Sequence, residues 1–147
     1  MKTVKKIKKP KKLKVPKLKK DLWKIWSSIV RHKNYCDLCG IKNGELTKNN
    51  KKCVLNAHHL ISKDASYNLA WDVENGISLC QNCHRFSKIG PHKNSLIFAN
   101  WFNNKYPEKY QYLLDKWMVP FDLSIENLQK IQEILQKTLE NLEKVTK

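Results

Sequence analysis

The chain has 147 residues and carries 29 Lys and Arg against 13 Asp and Glu, a formal net charge of +16. This length fits one compact domain with tails and excludes two substantial hydrophobic cores. The positive charge attracts polyanions, which makes nucleic acid the first partner to consider, and no apolar stretch approaches the roughly 20 residues of a membrane span.

Residues 1–20 form the most basic part of the chain, with eleven Lys, two Pro and no acidic residue. Such a segment cannot bury a core, so we expect a disordered basic tail that either contacts phosphates without reading sequence or only aids solubility. We expect order to begin at Asp21, a suitable helix N-cap. Apolar residues then recur at helical spacing as far as Val30, which predicts a helix with one buried face.

The middle of the chain alternates short apolar runs with polar loops. A polar loop over residues 43–52 is followed by Val54 and Leu55, which lead into a strand that ends near His58 and His59. Further predicted elements are a strand at Asn68–Trp71, a strand at Ile77–Leu79, a short helix from Cys83, and a helix between Gly90-Pro91 and Pro107.

The last 24 residues, 124–147, contain no Gly or Pro and place apolar residues near heptad spacing. This pattern predicts an amphipathic helix of about six turns. The helix either packs on the domain or pairs with a second subunit, so a monomer and a homodimer through the C-terminal helix both remain open.

Two C-x-x-C pairs, Cys36 with Cys39 and Cys80 with Cys83, predict a metal site. Each pair lets two thiolates reach one ion, and the two pairs together complete a tetrahedral site for structural Zn²⁺. Such a site has no open position, so this zinc is expected to fold the domain and take no part in catalysis. The fifth cysteine, Cys53, is expected to be a buried free thiol.

Histidines are concentrated between and just after the cysteine pairs, at His58, His59, His84 and His92, with Asn75 among them. A lone histidine is usually a satisfied core or surface residue, but this group lies within a predicted zinc scaffold. Adjacent strand residues point to opposite faces, so His58 and His59 are expected to have different tasks. An imidazole with a pKa near neutral can take a proton from water, and Asn75 could fix its tautomer.

Three segments of this region, Cys36-x-x-Cys39, Ala57–Leu60 and Asn75–His84, resemble the four-cysteine branch of the HNH endonuclease family, which is common in bacterial and phage proteins. The resemblance spans roughly residues 21–100. It implies a small α+β fold with a ββα-metal core, also called a His-Me finger, stapled by the four-cysteine zinc and flanked by helices.

The resemblance also implies roles for individual residues. His58 and His84 would bind a catalytic divalent ion, His59 would be the general base, and Asn75 would orient that base. Many members of the family carry a further histidine ligand where this chain has Lys88. His92 could replace it if the chain bends back at Gly90-Pro91. The alternatives are a site of two histidines completed by water and phosphate, or a weakened metal site. The ion itself is open among Mn²⁺, Ni²⁺, Co²⁺, Mg²⁺ and Zn²⁺, although Mg²⁺ prefers oxygen ligands.

We therefore expect a basic tail over residues 1–20, a nuclease domain over 21–105 and a C-terminal helical extension over 106–147. The expected activity is metal-dependent hydrolysis of DNA phosphodiester bonds, by nicking or double-strand cleavage. A non-catalytic zinc-containing DNA-binding module and an RNA-directed zinc protein are the alternatives. We expect no membrane association and a cytoplasmic location, in a bacterial cell or a phage-infected host.

Overall fold

The computed structural model describes residues 14–146. Helices dominate it, and a single small sheet lies between the N-terminal helix and the cysteine pairs. In chain order the helices and strands are α1 (Val15–Arg31), β1 (Leu55–His59), β2 (Gly76–Cys80), α2 (Ser95–Lys105), α3 (Pro107–Lys116) and α4 (Ile125–Val145). Short 3-10 turns lie at Tyr67–Leu69 and Val73–Asn75, and a single π-helical turn lies at Asn82–Phe86.

Helix α1 begins earlier than the sequence suggested. It starts at Val15 with Pro16 in its first turn, where proline is well tolerated, and Lys14 occupies the N-cap. The prediction that Asp21 caps this helix was therefore wrong. Leu18 is 1% exposed and belongs to the same buried face as Leu22, which extends the helix into the lysine-rich segment. Residues 1–13 of the predicted tail lie outside the described residues.

Strands β1 and β2 form a two-stranded antiparallel sheet, which confirms the predicted α+β class and both of these strands. His58 pairs with Ile77, and His59 pairs with Gly76. A Cβ at Gly76 would lie 2.2 Å from Val30 Cγ2 of α1, so only glycine lets the start of β2 approach the helix this closely. The helix expected after Cys83 is only one five-residue turn, and the finer ββα-metal arrangement stays a prediction.

The predicted strand at Asn68–Trp71 is absent, and a 3-10 turn and a bend occupy this segment. Backbone carbonyls here bind side chains, which leaves them unable to form a strand ladder. Leu69 O accepts a hydrogen bond from Asn75 Nδ2 at 3.0 Å, and Ala70 O lies 2.8 Å from His59 Nε2. The segment Asn68–Trp71 therefore forms turns that cover the end of β1.

Within residues 14–146, buried side chains form two hydrophobic clusters. One surrounds the cysteine pairs and includes Leu55, Leu79 and residues of α2 and α3. The other lies between α1 and α4, where Leu128 and Leu135 of α4 are buried. The C-terminal helix thus packs on the domain, while a homodimer through this helix stays a prediction. Among residues 14–146, no helix combines the length and apolar character needed to span a bilayer.

Candidate functional site

The two cysteine pairs meet in one cluster, as the sequence predicted. The four sulfur atoms of Cys36, Cys39, Cys80 and Cys83 all lie within 4.8 Å of one another. The Sγ atoms of Cys39 and Cys80 are 3.8 Å apart. Four sulfurs at about 2.3 Å from a tetrahedral Zn²⁺ would lie about 3.8 Å from each other. The cluster therefore has the ligand types and spacing of a structural zinc site.

Local backbone geometry builds each half of this cluster. In the first half, Gly40 N donates to Cys36 O at 2.8 Å and Cys36 N donates to Ile41 O at 2.9 Å. Gly40 has a φ of +78°, a left-handed conformation that favours glycine at this turn. In the second half, Cys80 ends β2, and Cys83 N donates to Cys80 Sγ at 3.4 Å. The cluster thus joins a tight loop to the end of the sheet.

The buried carboxylate of Asp37 connects the first cysteine pair to the sheet through hydrogen bonds. Asp37, 2% exposed, accepts hydrogen bonds from Ser78 N at 2.9 Å and Tyr106 Oη at 3.1 Å, and its side chain also contacts Lys33. Burial raises the pKa of Tyr106 to about 12, and the charge of Asp37 adds to this shift. Asp37 was not among the functional residues predicted from the sequence. An acidic residue between the two cysteines of a C-x-x-C pair was the available signal.

The electrostatics of the thiols also favour a cation. A hydrogen bond with Cys83 lowers the pKa of Cys36 to about 4, and the same bond raises the pKa of Cys83. Burial raises the pKa of Cys39 to about 11. One thiolate is thus stabilised by neighbours that keep their protons. Four thiolates would need a positive ion among them, which is the chemistry that Zn²⁺ supplies in such sites.

Three histidines form a second cluster on the other side of the sheet end. His84 Nε2 lies 3.0 Å from His58 Nδ1 and 3.1 Å from His92 Nε2. Ligand atoms of all three residues lie within 4.8 Å of one another. Imidazole nitrogens that bind one ion at about 2.0–2.1 Å are about 2.9 to 3.4 Å apart, depending on whether the angle between them is octahedral or tetrahedral. The spacing therefore suits a divalent ion held by three imidazoles.

His92 reaches this cluster because the chain reverses at Gly90. The N–H groups of Lys93 and Asn94 donate to Gly90 O at 3.1 and 2.9 Å. A Cβ at Gly90 would lie 2.1 Å from Cys83 O, so glycine is required for the loop to pass so close to the π-helical turn. The bend brings His92 beside His84.

Two of the three imidazoles, those of His58 and His84, have lowered pKa values that favour metal binding. Burial, with smaller contributions from the nearby His84 and His92, lowers the pKa of His58 to about 3. Burial also lowers the pKa of His84, with added effects of His92 and Arg85. Neutral rings keep the nitrogen lone pairs that a metal ion requires.

His59 lies on the opposite face of β1 and has different surroundings. Its ring stacks on Trp26 at 3.8 Å between centroids, with the planes 8° apart. Its Nε2 lies 2.8 Å from Ala70 O. A carbonyl only accepts, so Nε2 carries the proton and Nδ1 keeps a free lone pair. Burial lowers the pKa of His59, which favours this neutral form.

Asn75 does not orient His59, contrary to the prediction. Its fully buried amide accepts from Ile61 N at 2.7 Å and donates to Ile61 O at 2.8 Å and Leu69 O at 3.0 Å. Asn75 therefore connects two loops at the end of β1 through hydrogen bonds to their backbones. The backbone carbonyl of Ala70 fixes the His59 tautomer. Ala70 directly follows Leu69, whose carbonyl accepts a hydrogen bond from Asn75.

A cleft of about 280 Å³ lies beside the histidine cluster. His58, His59 and His92 line it, together with Pro91 and apolar residues of α2 and α3. The structure thus brings both members of the His58-His59 pair to one cavity although their side chains lie on different faces of β1. A phosphate group and a water molecule are small enough to enter a cavity of this size.

Comparison with known proteins corrects the family predicted from the sequence. The model of a CRISPR-associated protein family, Cas_CXXC_CXXC, matches residues 30–91, which include both cysteine pairs and the segment between them. The family that matches is not that of the HNH endonucleases, so the predicted membership of that family was wrong. The description of the matching family also names two C-x-x-C motifs, so these pairs alone do not identify an HNH endonuclease. No curated protein and no solved structure matches the chain.

Proposed function

We propose that this chain is a metal-dependent nuclease that hydrolyses phosphodiester bonds of DNA. One observation carries the proposal: three imidazole nitrogens converge at ion-binding distance beside a cleft that a fourth imidazole, that of His59, also lines. A module that only folds around zinc needs the four cysteines and has no use for this second group.

In this proposal the two clusters have separate tasks. The four cysteines hold a structural Zn²⁺ that fixes the loop before β1 against β2. His58, His84 and His92 would hold the second ion, which would stabilise negative charge on the phosphoryl oxygens and on the leaving oxygen. His59 Nδ1 takes the proton of the attacking water, and Ala70 O keeps the ring in the tautomer that permits this.

Charge favours a polyanionic substrate. The chain carries a net charge of +16. Near the cleft, Arg85 adjoins His84 and Lys63 lies close enough to His59 to lower its pKa, as a smaller contribution than burial. These two cations, one close to His84 and one close to His59, would attract phosphates of the substrate.

A non-catalytic metal-binding module is the second candidate. The match to a CRISPR-associated protein family supports it, because that match spans the two cysteine pairs. It accounts for the four-cysteine cluster but leaves the three-histidine cluster and the free Nδ1 of His59 without a task.

The test is incubation of the purified chain with supercoiled plasmid and with single-stranded circular DNA, across Mg²⁺, Mn²⁺, Ni²⁺, Co²⁺, Zn²⁺ and a chelator. We expect cleavage that requires the added ion and is lost in His84→Ala. His32→Ala is the matched control, because His32 belongs to neither cluster. Cleavage that survives in His84→Ala contradicts the proposed site. Absence of cleavage with every ion, with DNA binding intact, selects the metal-binding module.

A further inference from the structure

A second cavity lies outside the histidine cleft. It is a groove of about 710 Å³ between the loop of residues 47–54 and the π-helical turn Asn82–Phe86. Its lining includes three lysines, Lys48, Lys51 and Lys52, and the ring of Phe86. We call it the lysine groove.

The lysine groove has the charge of a phosphate-binding surface. All three lysines are exposed, and no acidic residue lines the cavity. None of them takes part in an ion pair within residues 14–146. Three unpaired cations around one cavity favour a polyanion, and a row of phosphates fits them better than a single carboxylate.

Phe86 adds a feature that phosphate binding does not need. Its side chain is 63% exposed, unlike the buried rings of Phe98 and Phe102. An aromatic ring in a basic groove offers a surface on which an unpaired base can stack. In a duplex the faces of the bases are already stacked on one another, so this ring favours a single strand.

The position of Phe86 links the groove to the histidine cluster. The same five-residue turn carries Cys83, His84 and Phe86. The zinc cluster fixes this turn through Cys83, so a base on Phe86 would be held at a fixed place relative to His84.

We propose that the lysine groove binds single-stranded nucleic acid, with phosphates on Lys48, Lys51 and Lys52 and a base on Phe86. This deepens the proposed function by naming the substrate class and directs the strand toward His84. Binding in the groove does not require cleavage, so the two proposals succeed or fail separately.

The phosphate contacts are tested by fluorescence anisotropy with a labelled 12-nucleotide oligo(dT) and the full chain carrying His59→Ala, which strongly slows cleavage by the proposed mechanism. The triple variant K48A/K51A/K52A is compared with K116A/K137A/K144A, which removes the same charge from α3 and α4. Because each phosphate contact on a single strand contributes a slope of about 0.7 to log Kd against log salt, we expect the groove variant to lower that slope by about 2. Equal slopes for the two triple variants would overturn the proposal.

Base stacking is tested with Phe86→Leu and Phe86→Trp in the same His59→Ala background. We expect Phe86→Leu to weaken oligo(dT) binding about tenfold without changing the salt slope, and Phe86→Trp to retain the affinity. A 12-base-pair duplex should bind more weakly than the single strand and should not respond to Phe86→Leu. Equal binding of duplex and single strand, or an unchanged affinity in Phe86→Leu, would contradict a single-strand site. Residues 1–13 are present in every variant, so their contribution cancels.

Discussion

Two neighbouring residues of β1 have opposite chemical surroundings. His58 faces two other imidazoles, whereas His59 stacks on Trp26 and has its Nε2 proton directed at Ala70 O. The alternation of side chains along a strand produces this separation without any loop between the two residues. One strand can thereby supply both a ligand and a base.

The pH dependence of cleavage tests the role of His59. Burial holds its folded pKa below the ordinary value of 6.5, so the ring is neutral and able to accept a proton above that lowered pKa. We therefore expect the rate at saturating metal to stay constant as the pH falls to 6.5 and to decline only below it. The measurement is log kcat/KM between pH 5 and 9. A decline that begins well above pH 6.5 would contradict His59 as the buried base.

The site residues could be listed from the sequence, but not all their contacts. The cysteine pairs and the clustered histidines carry their chemistry in their spacing, and the structure brings each set together. The partners of Asn75 are backbone atoms of Ile61 and Leu69, and no residue pattern specifies a backbone partner. The stack of His59 on Trp26 joins α1 to β1 and likewise depends on the fold.

The bend at Gly90 brings His92 into the histidine cluster. We expect Gly90→Ala to weaken binding of Mn²⁺ or Co²⁺ at this cluster at least tenfold, because the new Cβ would collide with Cys83 O and displace His92. Isothermal titration calorimetry on the zinc-loaded protein measures this change.

Lys93→Ala serves as the control for Gly90→Ala, since Lys93 is an exposed residue of the same loop. It should leave the affinity unchanged, and zinc content should be checked in both variants. Unaltered metal binding in Gly90→Ala would show that the bend is not needed for the site.

Helices and strands whose apolar residues recur at a clear spacing were predicted well. Those whose bounds depend on packing against residues far along the chain were not. Strands β1 and β2 and the C-terminal helix follow from their apolar patterns. The start of α1 was misplaced because lysines dominate the composition there and obscure Leu18, whose burial depends on packing with α4. Helix α3 was not predicted, because Pro107 ends one helix and also begins the next.

At the scale of the whole molecule, the zinc cluster is part of the core. Cys36, Cys80 and Cys83 are buried with Leu55 and Leu79 in one of the two clusters that hold the fold. A zinc ion bound by the four cysteines would therefore join the loop before β1, the end of β2 and the turn that carries His84. The lysine groove borders on this joint, because Cys39 and Cys80 line the groove.

Removal of this zinc should unfold the domain around the cysteines. We expect a strong chelator, or Cys36→Ser, to abolish the cooperative thermal transition seen by circular dichroism, because the metal-binding free energy is also folding free energy. Cys53→Ala is the control. Cys53 is buried but is not part of the cluster, so this variant should keep one zinc per chain and lose only a few kcal/mol of stability. A metal-free protein with an unchanged transition would show that zinc is dispensable for folding.

The most direct test of the proposed nuclease is the rate at which His59→Ala and His59→Gln cut DNA under the conditions that support cleavage by the unaltered chain. We predict that both variants keep their fold, their zinc and their affinity for the second ion, but cleave at least 100-fold more slowly, the loss expected when a general base is removed. Cleavage within a few-fold of the unaltered rate would contradict the assignment of His59 as the base and, with it, the proposed mechanism.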